Sequence, residues 1–156
     1  MNQTRQSPVI SSGKLVSLGS AAFSGISVEI LLGGEDGPLT VLDMTIAPGS
    51  GAPEHISFGE DKVFQILEGR LVFLIDLEKI TLKAGECVFV ARGITHSFAA
   101  LDGALARMTL ISTPARHDRF FQAMGELSVP HRMNDVQSIC SDFEQAIVGP
   151  VVTLDA

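Results

Sequence analysis

Up to residue 113, short apolar runs alternate with turns along the chain. The runs are separated at points such as Gly33-Gly34, Pro48-Gly49 and Asp102-Gly103, where tight turns favour these residue types. Many of the runs are rich in Val, Ile, Leu and Phe, and a series of short strands with turn signals predicts an antiparallel β-sandwich or β-barrel. The predicted strands are Lys14–Leu18, Ile26–Leu32, Leu39–Ala47, His55–Ser57, Val63–Leu67, Leu71–Ile75, Lys79–Leu82, Cys87–Val90, His96–Ala100 and Ala104–Ser112.

The hydrophobic period changes after Thr113-Pro114. Asp118–Leu127 carries apolar residues at helical spacing, which predicts a first helix. Asn134 or Asp135 could cap a second helix, which Gly149-Pro150 would end. We expect both helices to pack on the end of the barrel or on a subunit partner. The predicted apolar stripes are Phe120, Phe121, Met124 and Leu127 in the first helix, and Val136, Ile139, Cys140, Phe143 and Ile147 in the second.

The composition is that of one buried globular domain. The 156 residues are 46% hydrophobic and 19% charged, with a mean hydropathy of +0.32, which argues against a disordered chain. The net charge of −7 with no Lys/Arg cluster argues against nucleic acid or an anionic membrane surface as a partner. No apolar run approaches the ~20 residues of a membrane span. The N-terminus lacks the apolar core of a signal peptide, so we expect a cytoplasmic protein.

The cysteines and two of the four histidines have ordinary interpretations. Cys87 and Cys140 both lie in apolar patterns, which predicts reduced, buried thiols. His117 and His131 lie in polar stretches that flank the helices, so we expect them to be solvated. His55 and His96 differ, because each follows a turn and begins a predicted strand.

Two motifs around these histidines resemble those of the cupin superfamily. The first runs from Gly49 through His55 and Lys62 to Gly69, and the second runs from Gly85 to His96. Together with Ser112-Thr113-Pro114, Arg119-Phe120-Phe121 and the segment Ile147–Pro150, they resemble small bacterial quercetin-dioxygenase-like cupins. The resemblance implies an all-β double-stranded β-helix, or jelly-roll barrel, with two C-terminal helices and a ligand cavity at its mouth. It also implies a homodimer.

We also expect the chain to divide into three segments. Residues 1–12 would be an N-terminal arm, ordered or disordered. Residues 13–113 would be the cupin barrel, and residues 114–156 would be a helical extension that packs on the barrel as part of the same domain.

Members of this family hold Fe, Mn, Ni, Cu or Zn with three histidines and a glutamate. His55 and His96 match two of these ligands, whereas Ser57 stands in place of the remaining histidine and Lys62 in place of the glutamate. An ammonium about 4 Å from a divalent ion is repelled by several kcal/mol at an effective dielectric constant near 20. We therefore expect no cofactor, or a weakly held divalent transition metal on His55 and His96.

Strand alternation predicts that the altered ligands meet in one pocket. His55 and Ser57 lie two residues apart and share a face, as do Lys62 and Phe64 on the next strand. His55, Lys62 and His96 are the candidate catalytic residues. The candidate ligand-binding residues are Ser57, Phe64, Phe98 and Met108.

Three functions remain open. In the first, the Lys62 charge replaces that of the metal and binds a carboxylate, enolate or phosphate on a small, partly apolar ligand, with catalysis unproven. The second is a metal-dependent (Fe, Mn, Ni or Zn) dioxygenase or isomerase, and the third is a non-catalytic sensory or storage module. A desolvated lysine could also act as a base or Schiff-base nucleophile. Alternatively, Lys62 could form an ordinary ion pair with Glu60 or Glu54 at the barrel rim.

Overall fold

A computed structural model describes residues 15–154 of the chain, so the predicted arm at residues 1–12 lies outside the described residues. All strand pairs in this part are antiparallel. The elements are β1 (Gly19–Phe23), β2 (Ile26–Leu32), β3 (Thr40–Ile46), β4 (Gly51–Ser57), β5 (Asp61–Glu68), β6 (Arg70–Ile75), β7 (Glu78–Lys83), β8 (Cys87–Val90), β9 (His96–Ala100), β10 (Ala106–Thr113), α1 (His117–Gly125), α2 (Met133–Asp142) and β11 (Gln145–Val151).

Two sheets face each other across the core. One has the strand order β1-β2-β3-β10-β5-β8, and the other has the order β11-β4-β9-β6-β7. Every second residue of β3 and β10 is buried, as expected for strands with one face on a core. Three phenylalanines, Phe64, Phe73 and Phe98, meet between the sheets with ring centroids 5.2–5.7 Å apart. This architecture confirms the predicted all-β jelly roll with two helices.

Turn chemistry explains most strand boundaries. The predicted hairpin of β6 and β7 is confirmed, and its turn contains Asp76 with a positive φ. The first predicted strand, Lys14–Leu18, is wrong because β1 begins at Gly19. Ser24 and Gly25 both have positive φ in a two-residue turn that pairs Phe23 with Ile26, and this turn sets the register of β1.

The predicted second helix is too long. α2 begins after Arg132, which places Asn134 and Asp135 in its first turn rather than at the cap. It ends at Asp142, and the predicted continuation of its stripe to Ile147 is wrong, because that residue lies in β11 and pairs with His55 of β4. Glu144 has a positive φ at the point where the chain reverses direction. The segment that follows is rich in Ile and Val, and it pairs with the edge of β4.

The two cysteines differ in exposure. Cys140 is buried against Met124 and Val136, as predicted. Cys87 is exposed, so its predicted burial is wrong. It lies on the outer face of the short edge strand β8, where only Val88 and Val90 turn inward. Within residues 15–154, neither helix has the length and apolar character that a membrane crossing requires.

Candidate functional site

A cavity of about 470 Å³ lies between the mouth of the barrel and the two helices. Its walls are largely apolar, and their polar residues include His55, Lys62, His117, His131 and Gln145. The volume suits a small organic molecule, because ligand pockets of about 300–1,000 Å³ commonly combine apolar walls with a few polar groups. The apolar side chains of the wall include Phe23, Ile26, Met44, Phe64, Phe98, Leu110, Phe120, Phe121, Met124, Met133, Val136 and Ile147.

Lys62 lies between two histidines at the barrel end of this cavity. Its Nζ atom is 3.4 Å from Nε2 of His55 and 3.2 Å from Nε2 of His96. The lysine side chain is 1% exposed, and the two imidazole rings are 4.1 Å apart. The predicted meeting of His55, Lys62 and His96 is therefore observed.

The backbone fixes which histidine nitrogens carry protons. His55 Nδ1 lies 2.7 Å from the carbonyl oxygen of Pro53, and His96 Nδ1 lies 2.9 Å from that of Ile94. A carbonyl oxygen only accepts, so each Nδ1 donates a proton and each Nε2 keeps a lone pair. The ammonium of Lys62 consequently donates to both Nε2 atoms, and one of its three N–H groups remains for a ligand.

Local strand structure brings the three side chains together. His55 and His96 are register partners on β4 and β9, and β4 has an irregularity between Ala52 and His55. Lys62 reaches the same place because alternation along β5 turns Lys62, Phe64 and Ile66 to the inside.

Burial and mutual repulsion set the charge states. Burial lowers the pKa of Lys62 to about 8, while the charge of Glu60 acts in the opposite direction. Burial, with the Lys62 charge second, lowers the pKa of His96 to about 3 and that of His55 well below its usual value. At neutral pH the cluster therefore carries one positive charge, on Lys62, between two neutral imidazoles.

The remaining predicted site residues occupy different places. Phe64 and Phe98 line the cavity, as predicted. Ser57 is buried but is not part of the cavity wall, and its Oγ has no partner among the described residues. Met108 is fully buried in the core and does not line the cavity, so the structure gives no support to its predicted ligand contact. It lies two residues deeper along β10 than Leu110, which does line the cavity.

The structure corrects the alternative role of Lys62. A rim lysine paired with Glu60 or Glu54 would be exposed, whereas Lys62 is buried and its hydrogen bonds go to histidines. Within residues 15–154, no ion pair joins Lys62 to a carboxylate. Lys62 lies on the inward face of β5, so it cannot be a residue of the barrel rim.

His117 is a cavity residue that the sequence did not predict. The expected solvated histidine is wrong: His117 is 3% exposed, lines the cavity, and its Nδ1 lies 2.9 Å from Oε2 of buried Glu60. It begins α1, which lies over the barrel mouth. The spacing of His117 with Phe120, Phe121 and Met124 is that of one helix face and was the available signal. His131 is half-buried and stacks on Phe23, with ring centroids 4.4 Å apart.

The donor set does not fit a divalent metal ion. The lone pairs of His55 and His96 converge where the Lys62 ammonium lies, and Ser57 and Lys62 supply neither of the other two expected ligands. In the described part of the chain, no three His, Cys, Asp or Glu residues form a group that could hold a metal. A cation at this point would have to displace the ammonium and overcome its repulsion.

Comparisons with known proteins agree with this architecture. Residues 42–112 match the family model described as a cupin domain. The HTH-type transcriptional regulator PuuR of Escherichia coli is 28% identical over 107 residues, which are 68% of this chain and 56% of that protein. The chain thus spans little more than half the length of this curated relative.

Solved structures resemble the fold at low identity. An RmlC-like cupin from Shewanella frigidimarina has a TM-score of 0.57 and 21% identity, over 74% of this chain and 98% of that one. The Streptomyces protein PAC13 with uridine has a TM-score of 0.61 and 15% identity, over 89% of this chain and 92% of that one. Pac13 is described as a nucleoside dehydratase. At these identities the likeness concerns the fold alone.

Proposed function

Since the chain contains a cupin domain, we propose that it binds a small organic molecule in the barrel, with an anionic oxygen of that molecule paired to Lys62. The position of the Lys62 ammonium supports this proposal most directly. It lies at the inner end of a largely apolar cavity, at the point where the resemblance to metal-binding cupins implies a metal ion. The oxygen would belong to a carboxylate or an enolate.

The chemistry of the cluster favours an anion. His55 and His96 occupy two N–H groups of the ammonium, and the third remains for a ligand oxygen. A charge-assisted hydrogen bond is roughly twice as strong as a neutral one, and exclusion of water strengthens it further. The apolar walls would accommodate the body of the ligand, which should therefore be partly hydrophobic.

A sensory role is the second candidate, and one observation favours it. The curated relative with 28% identity is an HTH-type transcriptional regulator, and this chain spans about half of it. A binding module of this kind would hold the same class of ligand without converting it. Binding and turnover must therefore be measured separately.

The binding proposal predicts that Lys62→Met abolishes the recognition of carboxylates. We expect octanoate to raise the thermal unfolding midpoint of the wild-type protein more than octan-1-ol does, and we expect Lys62→Met to lose this difference. The variant should fold, because the lowered pKa of Lys62, about 8 against 10.5, corresponds to about 3 kcal/mol of cost that methionine does not carry. Differential scanning fluorimetry with both compounds measures the effect.

Lys83→Met is the matched control, since Lys83 is exposed at the end of β7. It should respond to octanoate like the wild type. An unchanged octanoate response in Lys62→Met would contradict the proposal, as would equal responses to the acid and the alcohol.

The metalloenzyme alternative gives a different expected result. Purified without chelators and titrated with Fe, Mn, Ni and Zn, the wild-type protein should bind clearly less than one ion per chain, because the ammonium occupies the ligand centre. The double variant Ser57→His with Lys62→Glu supplies three histidines and a carboxylate, and it should bind close to one ion per chain. Elemental analysis measures both. Near-stoichiometric metal in the wild type, lost in His55→Ala, would favour the metal-dependent dioxygenase or isomerase.

A further inference from the structure

Glu60 and His117 form a buried carboxylate–imidazole pair that also reaches the Lys62 cavity. We propose that His117 is the general base of a proton transfer at the carbon next to a carbonyl group, whose oxygen is held by Lys62. Glu60 is the positioning residue of this base. The inference rests on the proposed function, because Lys62 must first hold the ligand oxygen.

The hydrogen bonds determine which nitrogen can act as a base. His117 Nδ1 lies 2.9 Å from Oε2 of Glu60, and an ionised carboxylate only accepts, so Nδ1 carries the proton. The amide nitrogen of Gln145 lies farther from the same atom, at 3.4 Å, and as a donor it cannot bond to a nitrogen that already carries a proton. No hydrogen bond within residues 15–154 engages Nε2 of His117, whose lone pair is therefore available to a ligand in the cavity.

The imidazole is held in a fixed orientation. Its ring packs 5.3 Å from Phe120 at an interplanar angle of 30°, and 5.0 Å from Phe121 nearly at right angles. Glu60 is 1% exposed, and its second oxygen has no partner among the described residues. A buried carboxylate with a single hydrogen-bonded partner fixes both the tautomer and the direction of the ring.

The surrounding charges keep both groups in the required state. Burial and the Lys62 charge lower the pKa of His117, while Glu60 and Asp118 raise it less, so the ring is neutral at pH 7. Burial opposes ionisation of Glu60, but His117, Lys62 and Arg116 together outweigh it and lower the pKa of that carboxyl. His55 and His96 also interact electrostatically with His117, and His131 lines the same cavity.

The proposed step is balanced without any co-reactant. The proton of the C–H bond moves to Nε2 of His117, and the electron pair of that bond forms a carbon–carbon double bond. The carbonyl π pair moves to the oxygen, and the Lys62 ammonium stabilises the resulting enolate. Return of a proton from Nε2 to the same carbon regenerates the ketone, and nothing is oxidised or reduced.

Deuterium exchange of 2-oxooctanoate tests this step. In D₂O near neutral pH, the wild-type protein should accelerate loss of the proton NMR signal at carbon 3 above the buffer rate. His117→Gln should lower this acceleration about 10²-fold or more, the scale of a lost general base. Glu60→Gln should slow the exchange and also move its pH profile, which a merely structural role would not do.

The outcomes separate the two proposals. Octanoate could stabilise the protein while the wild type exchanges the carbon 3 protons of 2-oxooctanoate no faster than buffer does. That result would overturn the proton-transfer proposal and leave the binding proposal standing. If neither acid stabilises the protein, the binding proposal itself fails. A wild-type rate in His117→Gln would show that Nε2 is not the base.

One measurement needs no variant and so does not depend on folding of a mutant. Long-range ¹H–¹⁵N NMR spectra of the wild-type protein should show His117 neutral at pH 7 with its proton on Nδ1. A proton on Nε2 would leave no lone pair towards the cavity and would overturn the proposal.

Discussion

Acidification from pH 7 to pH 4.5 is expected to remove a large part of the folding stability. The reason is the set of buried neutral histidines at the site. The pKa of His96 is about 3 in the folded protein against 6.5 in the unfolded chain, so the unfolded chain binds an extra proton below pH 6.5. The stability that depends on neutral His96 is complete above pH 6.5 and is lost as the pH falls towards 3.

The expected size follows from the linkage relation. At pH 4.5, two pH units below the unfolded value, His96 alone costs about 3 kcal/mol, and near pH 3 the cost reaches about 4 kcal/mol. The lowered pKa values of His55 and His117 act in the same direction. Domains of this kind are stable by about 5–15 kcal/mol, so the loss is a substantial fraction of the total.

Urea unfolding at pH 7 and pH 4.5 measures this loss. His96→Gln should show a smaller difference between the two pH values than the wild type. His131→Gln is the matched control, since His131 is half-buried against Phe23 outside the Lys62 cluster, and it should behave like the wild type. Equal wild-type unfolding free energies at both pH values would show that His96 is not buried in its neutral form.

The second large effect is expected from Gly51→Ala. Gly51 pairs with Ala99 across β4 and β9, and a Cβ atom there would collide with the carbonyl oxygen of Phe98 and lie 2.8 Å from Cα of Ala99. These are backbone atoms in a buried sheet and cannot rotate away, so the strands must separate. We expect a destabilisation of about 3 kcal/mol or more, together with loss of octanoate binding, because His55 and His96 lie on the same two strands.

Gly49→Ala provides the comparison two residues away. A Cβ at Gly49 meets no atom within 4 Å, and the cost comes only from its positive φ of 71°, about 1–2 kcal/mol. It should retain octanoate binding. If thermal and urea unfolding show equal losses for the two variants, close packing of β4 on β9 is not the dominant constraint.

The sequence was sufficient to predict the barrel and half of the site. Strand alternation and turn residues determine the inward face of β5, and with it the burial of Lys62 and Phe64. The meeting of His55 with Lys62 and His96 followed from the cupin-like motifs combined with that alternation. Strand alternation is local and the motifs have a fixed spacing along the chain, so both can be recognised without knowledge of the tertiary structure.

The Glu60–His117 pair could not be predicted in the same way. Its members are 57 residues apart, and their contact depends on how α1 docks on the barrel. A histidine at the start of a helix, in a polar segment, has the same local pattern whether it is solvated or covered. The segment after Asp142 was difficult to predict for a related reason. Its apolar residues continue the helical stripe of α2, and the segment forms a strand only because it pairs with the edge of β4.

Strand β11 also constrains how a guest can reach the cavity. The helices that cover the barrel mouth are joined to β10 on one side and to β11 on the other, and β11 pairs with β4 beside His55. The two helices are therefore held at both ends, and they cannot move away from the barrel without breaking the pairing of β11 with β4. Any movement of the helices away from the barrel mouth would therefore disturb the strand that carries His55.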